Sequence, residues 1–405
     1  MNVVPQLKQR ADYTHRYNIH SGRHGWLRLT PAYSVKVVEE VIENYNYQGR
    51  VLDPFCGSGT TALCAARRGL ESLTTDINPF LVWLAGAKTR SYSHDELNAT
   101  RDACDKILAG MGKNWPSADA PPIHKIERWW SEKGLAFLCA LKGAIDNYEC
   151  SDPTRNLLLI SFCRTLIKVS NAAFNHQSMS FKEGNNELDL EIDHSSIFRS
   201  DVDHILQGSS ETIPVESSVI LQDARYLDES SIGKFDLVIT SPPYANRMSY
   251  IRELRPYMYW LGYLKEAREA GELDWLAIGG TWGVATSRLN DWTAAHEYKN
   301  EHLDTVIKAI SQAENKHAET LSRYVHKYCE DIFAHLSSLS NVLNSKARVH
   351  YIIGNSTFYG NLVKVEEIYA DMMKKVGFSE IDIRAIRKRN SKKELIEFDV
   401  SATWP

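Results

Sequence analysis

Three shortages in this 405-residue chain each exclude a class of protein. Long apolar runs are missing: Leu157-Leu158-Leu159-Ile160 is one of the short ones, and even Leu135–Leu141 has only seven residues, far below the ~20 residues that cross a bilayer. Paired cysteines are missing too. The seven (Cys56, Cys64, Cys104, Cys139, Cys150, Cys163, Cys329) are odd in number, scattered and without a C-x-x-C spacing, which argues against a disulfide scaffold or zinc ribbon and for a reducing compartment. Net positive charge is also lacking. Lys plus Arg number 47 against 51 Asp plus Glu, a formal charge of -4, so any polyanion partner must be held by a local patch. With 22 Gly and 13 Pro the chain is neither collagen-like nor low-complexity. The opening MNVVPQLKQRADYTHRYN carries no apolar core behind a basic head, so no secretory signal is read and a cytoplasmic location is expected.

A 43% hydrophobic, 24% charged chain of this length suits two or three domains, or one large α/β domain with an insertion. Thr30–Tyr45 has apolar residues at Val37, Val38, Val41 and Ile42, a helical spacing, and Pro31 fits the helix start. Arg50–Phe55 then reads as a strand, Cys56–Thr60 as a Gly-rich turn, Thr61–Arg68 as an Ala-rich helix and Ser72–Asp76 as a second strand. This βαβ order predicts a parallel sheet. Between about 80 and 217 the pattern turns helical (Asp95–Met111, Trp129–Tyr148, Asp152–Val169). Strands resume at Ser218–Leu221 and Phe235–Thr240. The tail reads helix (Ser322–Leu343), strand (Arg348–Ile353), helix (Val365–Val376) and two strands (Ile381–Ile386, Leu395–Val400) around a basic turn. The expected division is 1–90 with 215–405 as one α/β unit, and 91–214 as a mainly helical insertion.

The run Asp53-Pro54-Phe55-Cys56-Gly57-Ser58-Gly59-Thr60-Thr61 is the first site signal. Glycines after a first strand let a ligand approach the backbone, and the next helix offers free N–H groups. The run is neither a complete G-x-G-x-x-G nor a P-loop, and Asp53 would repel a pyrophosphate while suiting a cationic ligand group. Asp76, at the second strand end, is placed to accept from ribose hydroxyls. Asp223, at the third, is placed to accept from an adenine amino group. With their neighbours Ile77 and Ala224, these positions fit a nucleoside with a cationic amino-acid tail: S-adenosylmethionine. A plain βα turn with capping acids is the bland alternative.

Thr240-Ser241-Pro242-Pro243-Tyr244 ends the fourth strand. Two prolines stop the ladder and stiffen a backbone whose carbonyls face the sheet's C-terminal edge. Together the two runs resemble the DNA amino-methyltransferases. Asp53–Thr61 is similar to that family's D-P-F-x-G-S-G-T-T cofactor motif, Ser241–Tyr244 to its [DNS]-P-P-[YFW] catalytic motif, and the Pro31–Ile42 helix to its flanking motif. The resemblance covers roughly 25–90 and 215–405. It implies a Rossmann-like S-adenosylmethionine-dependent fold, mostly parallel with a C-terminal antiparallel hairpin, and a site-specific DNA methyltransferase of restriction–modification type.

Ser at the first catalytic position resembles the cytosine-N4 branch. Adenine-N6 methylation is the alternative, followed by RNA guanine-N2 methylation or an inactive DNA-recognition subunit. Ser241 Oγ and the Pro242 carbonyl are expected to take the two N–H bonds of the target amine, Pro243 to stiffen the turn and Tyr244 to stack on a base turned out of the duplex. DNA is the expected partner, with a possible companion restriction endonuclease. No metal site is read from His15, His20 and His24, and no membrane partner; the oligomeric state is not readable. Candidate DNA contacts are Arg247 and Arg252 after the catalytic motif, and Arg387, Lys388 and Arg389 within the basic stretch that also holds Arg384, Lys392 and Lys393. That stretch is read either as a phosphate clamp or as a solvated turn. Tyr259, Trp260 and Tyr263 are read as core. Asn171, Asn175, His176 and Gln177 are a weaker candidate for reading base edges.

Overall fold

The computed structural model describes residues 7–29, 33–45, 49–173, 180–181, 193–246, 249–281, 284–295, 297–389 and 394–405. Seven strands make the main sheet: β1 (Val51–Asp53), β2 (Ser72–Asp76), β3 (Ser218–Leu221), β4 (Phe235–Thr240), β5 (Leu343–Gly354), β6 (Ser379–Lys388) and β7 (Ile396–Thr403). Their order is β6-β7-β5-β4-β1-β2-β3. Neighbours from β5 to β3 pair in parallel, and β7 alone runs antiparallel, between β5 and β6. The chain therefore adopts the expected mostly parallel sheet closed by a C-terminal antiparallel hairpin.

The run FDLVIT of β4 shows why the centre is apolar on both sides. Leu237 and Ile239 pack on one face and Val238 on the other, as a period of two requires in a strand covered twice, while Phe235, beyond a register shift, joins the cluster of Val238. On the first face lie α1 (Val35–Tyr45) and α2 (Thr60–Arg67), with Val38, Val41 and Ala65 against Val51 and Ile239. The first helix begins later than its sequence pattern, and residues 30–32, including Pro31, lie outside the described part.

Helix α3 (Pro79–Thr89), capped by Asn78, follows β2. Helices α4 (His94–Gly110), α5 (Glu132–Asn147), α6 (Asp152–Lys168) and α7 (His194–Ser209) share one apolar core with α3 and with α8 (Tyr250–Trp260). Trp260 packs on Trp130 and Phe162, and Tyr257 stacks on Phe80 at 5.3 Å. Tyr259 and Trp260 are buried, and Tyr263 packs against the same core. Helices α9 (Ala267–Leu276), α10 (Val284–Asp291) and α11 (Glu301–Ser311) follow. They lead to α12 (Ala318–Leu339) and α13 (Val365–Val376), which cover the second face of the sheet through Leu336, Ile332, Ile368 and Met372. Helices α7 to α11 carried no clear pattern in the sequence.

One side chain holds the N-terminal segment to this frame. Arg23 is fully buried, and its guanidinium donates to five main-chain carbonyls, those of Lys88, Arg90, Gly208, Ser209 and Glu211, at 2.5 to 3.0 Å. These carbonyls close α3 and α7, where the helix dipoles favour a cation. Among the described residues, no helix is long and apolar enough to cross a membrane.

Candidate active site

A cleft open to solvent, about 930 Å³ with the open space included, runs along the C-terminal ends of β1 to β4. Pro54, Phe55, Gly57, Asp76, Ile77, Asp223 and Ala224 line it, and so do Ser241, Pro242, Pro243 and Tyr244. The two sequence motifs, 180 residues apart, thus share one space.

The Gly turn divides its work between its two glycines. Gly57 has φ +51°, and a Cβ there would meet only the Phe55 carbonyl, at 3.8 Å. The room it leaves belongs to the cavity. Gly59, at φ +75°, instead lets α3 approach: a Cβ there would stand 3.0 Å from Ala85 Cβ. Gly57 N–H donates to Asp76 Oδ2 and Asn78 N–H to Asp76 Oδ1, both at 2.9 Å. Each carboxylate oxygen keeps a second lone pair for a ligand hydroxyl. Burial raises the Asp76 carboxyl to about 6.

Asp53 does not line the cavity. It is 1% exposed, and its Oδ1 accepts from Thr240 Oγ1 at 2.6 Å and Phe55 N–H at 3.1 Å. Its side chain turns toward the α1–α2 face with Val51, and burial raises it to about 6. Asp53 therefore ties the end of β1 to the end of β4 through Oδ1, while its buried Oδ2 has no hydrogen-bond partner among the described residues. Cys56, Gly59, Thr60 and Thr61 are likewise outside the lining. Thr61 Oγ1 donates to the Ile239 carbonyl at 2.9 Å and bonds to the Tyr33 hydroxyl. Asp223 does line the cavity, but Arg225 holds it, Nη2 to Oδ2 at 2.6 Å, with Asp331 on the other side of the guanidinium. Pro31 and Arg247 lie outside the described residues, as do Asn175, His176, Gln177, Lys392 and Lys393.

The catalytic motif is tied at four points. Ser241 Oγ donates to the Ile352 carbonyl at 2.9 Å. Tyr328 Oη donates to the Pro243 carbonyl at 3.0 Å, and Tyr244 N–H donates to Tyr250 Oη at 3.2 Å. The Tyr244 hydroxyl donates to Glu397 Oε1 at 2.9 Å. Burial, reinforced by the Glu397 carboxylate, pushes the Tyr244 phenol well above its ordinary range.

The basic stretch is largely committed to its own hairpin. Arg384 pairs with Asp399 and Arg387 with Glu397, each directly across β6–β7. Arg389 donates to the Asn355 carbonyl at 2.7 Å. The choice between clamp and solvated turn overlooked cross-strand acids whose register sequence spacing does not reveal. Lys388 makes no ion pair among the described residues. Arg252 sits in the first turn of α8, its main-chain N–H donating to Ser249 Oγ.

Sequence reasoning missed several wall residues: Leu29, Asn78, Leu254, Leu276 and Ile278. Only Asn78 left a signal, as an Asn-Pro helix start directly after Asp76. Behind the wall, His335 Nδ1 donates to the Ala224 carbonyl at 2.8 Å and Nε2 accepts from Tyr351 Oη at 2.6 Å. The Phe55 ring stands edge-on to this imidazole at 4.7 Å.

A groove across strand ends, with an acid at the end of the second strand and a rigid Pro-Pro turn at the end of the fourth, fits the S-adenosylmethionine-dependent methyltransferases. Comparison with known proteins narrows the class. A family model described as DNA methylase, of the N6/N4 type, matches residues 8–85. The type II methyltransferase M.MvaI of Kocuria varians is 23% identical over 391 residues, covering 90% of this chain and 82% of the relative. The type II methyltransferase M.BsoBI of Geobacillus stearothermophilus is 20% identical over 427 aligned positions, covering 93% and 82%. A solved structure, the rRNA methyltransferase aviRa from Streptomyces viridochromogenes, overlaps 92% of this chain and 86% of its own at 11% identity and a TM-score of 0.28, too distant to add to the topology. The chain is thus similar to DNA amino-methyltransferases over most of its length, and these matches support an S-adenosylmethionine-dependent DNA methyltransferase of the N4/N6 type.

Proposed function

We propose that this enzyme methylates the exocyclic N4 of cytosine at specific DNA sequences. The observation that carries the reading is the set of acceptors at Ser241–Tyr244. Ser241 has one hydroxyl proton, and Ile352 takes it, so the serine meets a ligand as an acceptor. Tyr328 occupies the Pro243 carbonyl, and among the described residues none donates to the Pro242 carbonyl. Two open acceptors on one cavity edge match the two N–H bonds of a nucleobase amine. That amine is a weak nucleophile because its lone pair is shared with the ring; holding both hydrogens draws the nitrogen toward sp³ and frees the pair. Tyr244 offers a ring for the extruded base. When bound, S-adenosylmethionine supplies an already activated methyl group, so most of the remaining barrier falls to positioning. Asp76 would hold its ribose, and Phe55 and Ile77 its adenosine faces. The serine favours cytosine through its resemblance to the N4 branch.

Residues 91–214 serve in this reading as an insertion for target recognition. Arg247, Arg252 and Lys388 contact the DNA backbone. Both relatives are named type II methyltransferases, which supports a companion restriction endonuclease and action on genomic DNA in a prokaryotic cytoplasm. Expression in a methylation-free host, followed by single-molecule sequencing of its DNA, tests this. N4-methylcytosine at one short motif is expected. N6-methyladenine instead overturns the choice of base, and unmodified DNA overturns the activity.

A further inference from the structure

Glu397 is 4% exposed and belongs to β7, far in sequence from either motif. Both of its oxygens are hydrogen-bonded. Oε1 accepts from the Tyr244 hydroxyl at 2.9 Å and from Arg387 Nη2 at 3.0 Å, and Oε2 accepts from Arg387 Nε at 2.8 Å. The two-point arginine fork fixes the carboxylate plane, and through it the direction of the phenol. The guanidinium of Arg389 lies over the Tyr244 ring at 4.9 Å from its centre. Gly354 makes room for it, since a Cβ there would stand 2.6 Å from Arg389 Nη1. Tyr244 lines the cavity and Arg389 does not, so the cation covers the ring's rear face and leaves one face for a ligand.

Resting on the methyl-transfer reading above, we propose that Glu397 is a positioning residue, which sets the plane in which Tyr244 receives the target base, with Arg389 backing the ring. The base stacks on one side only, and the hairpin fixes the ring before DNA arrives.

The test is a double-mutant cycle on the full chain. Tyr244→Phe leaves the Glu397–Arg387 pair intact, and Glu397→Gln removes its charge. Turnover is followed with labelled S-adenosylmethionine on unmethylated genomic DNA. Each variant is expected to lower kcat about 10-fold with cofactor affinity within about twofold, and the double variant to lose less than about twofold more than the worse single. Multiplied losses, near 100-fold, overturn the proposal, as does unchanged turnover in either single variant. A second readout needs no turnover: the ring resonances of carbon-labelled tyrosine, with Tyr244 identified by its loss in Tyr244→Phe. Faster ring averaging of Tyr244 in Glu397→Gln is expected, and an unaltered signal overturns the proposal. A wild-type enzyme that leaves DNA unmethylated, while Tyr244 loosens in the variant, counts against the methylation reading and leaves the mechanical link standing.

Discussion

At the scale of single residues, the site is governed by which hydrogen-bonding capacity each group has left after folding. Ser241 is left with acceptance alone. Ser241→Ala should lower kcat by about 10- to 100-fold, the range seen when one preorganised partner of a reacting group is deleted. Calorimetric affinity for S-adenosylmethionine should stay within about twofold, because the cofactor wall is elsewhere. Asp76 supplies a pH signature. Its carboxyl is raised to about 6 by burial, so it is ionised at pH 7 and protonated at pH 5, where it offers ribose fewer acceptors and a cation no charge. Cofactor affinity measured by titration calorimetry should therefore fall as pH drops through about 6. Asp76→Asn should bind more weakly at pH 7 and show a flatter profile. The ligand-free fold runs the other way. An acid with a raised native value contributes stability that is full below its unfolded value and lost as pH rises through about 6.

At the scale of elements, His335 shows how a helix on the far face braces the proposed cofactor wall. From α12 it holds the Ala224 carbonyl and packs under Phe55. Burial lowers its imidazole to about 4, below the ordinary value near 6.5. Its contribution is present above pH 6.5 and lost as pH falls toward 4, worth about 3 kcal/mol over that span. His335→Gln should flatten the fall in melting temperature across this window, which a series of thermal melts would read. The strands and their end residues were readable because apolar runs, Gly turns and prolines act locally: β2, β3, β4 and α13 lie where their patterns placed them. Helices such as α8, whose apolar residues serve two neighbours at once, blur the period. The cavity lining was half readable. Which of Gly57 and Gly59 faces a ligand, or that Asp53 turns inward, depends on α3 and on β4, contacts that spacing along the chain does not encode. Glu397 was invisible for the same reason.

At the scale of the whole molecule, a net charge of -4 must coexist with a polyanionic substrate, and most arginines near the site are already paired. Lys388 stands apart from these pairs. Lys388→Ala should weaken DNA binding evenly across sequences and reduce the slope of log K against log salt by about one, measured by filter binding over a salt series. Arg23 binds the molecule's parts together. Lysine offers three donors on a point charge where five carbonyls expect a planar fork. Arg23→Lys should cost about 3 kcal/mol or more in urea unfolding, a loss of the kind met when a buried charge network is broken.

The same arginine also orders events in time. Two of its partners, Gly208 and Glu211, follow it by 185 and 188 residues. During synthesis the guanidinium stays hydrated until the ribosome has released that distant stretch, so the N-terminal segment around Arg23 docks only after α3 and α7 exist. A nascent chain stalled before residue 208 holds the strands of the first βαβ unit with that segment still undocked.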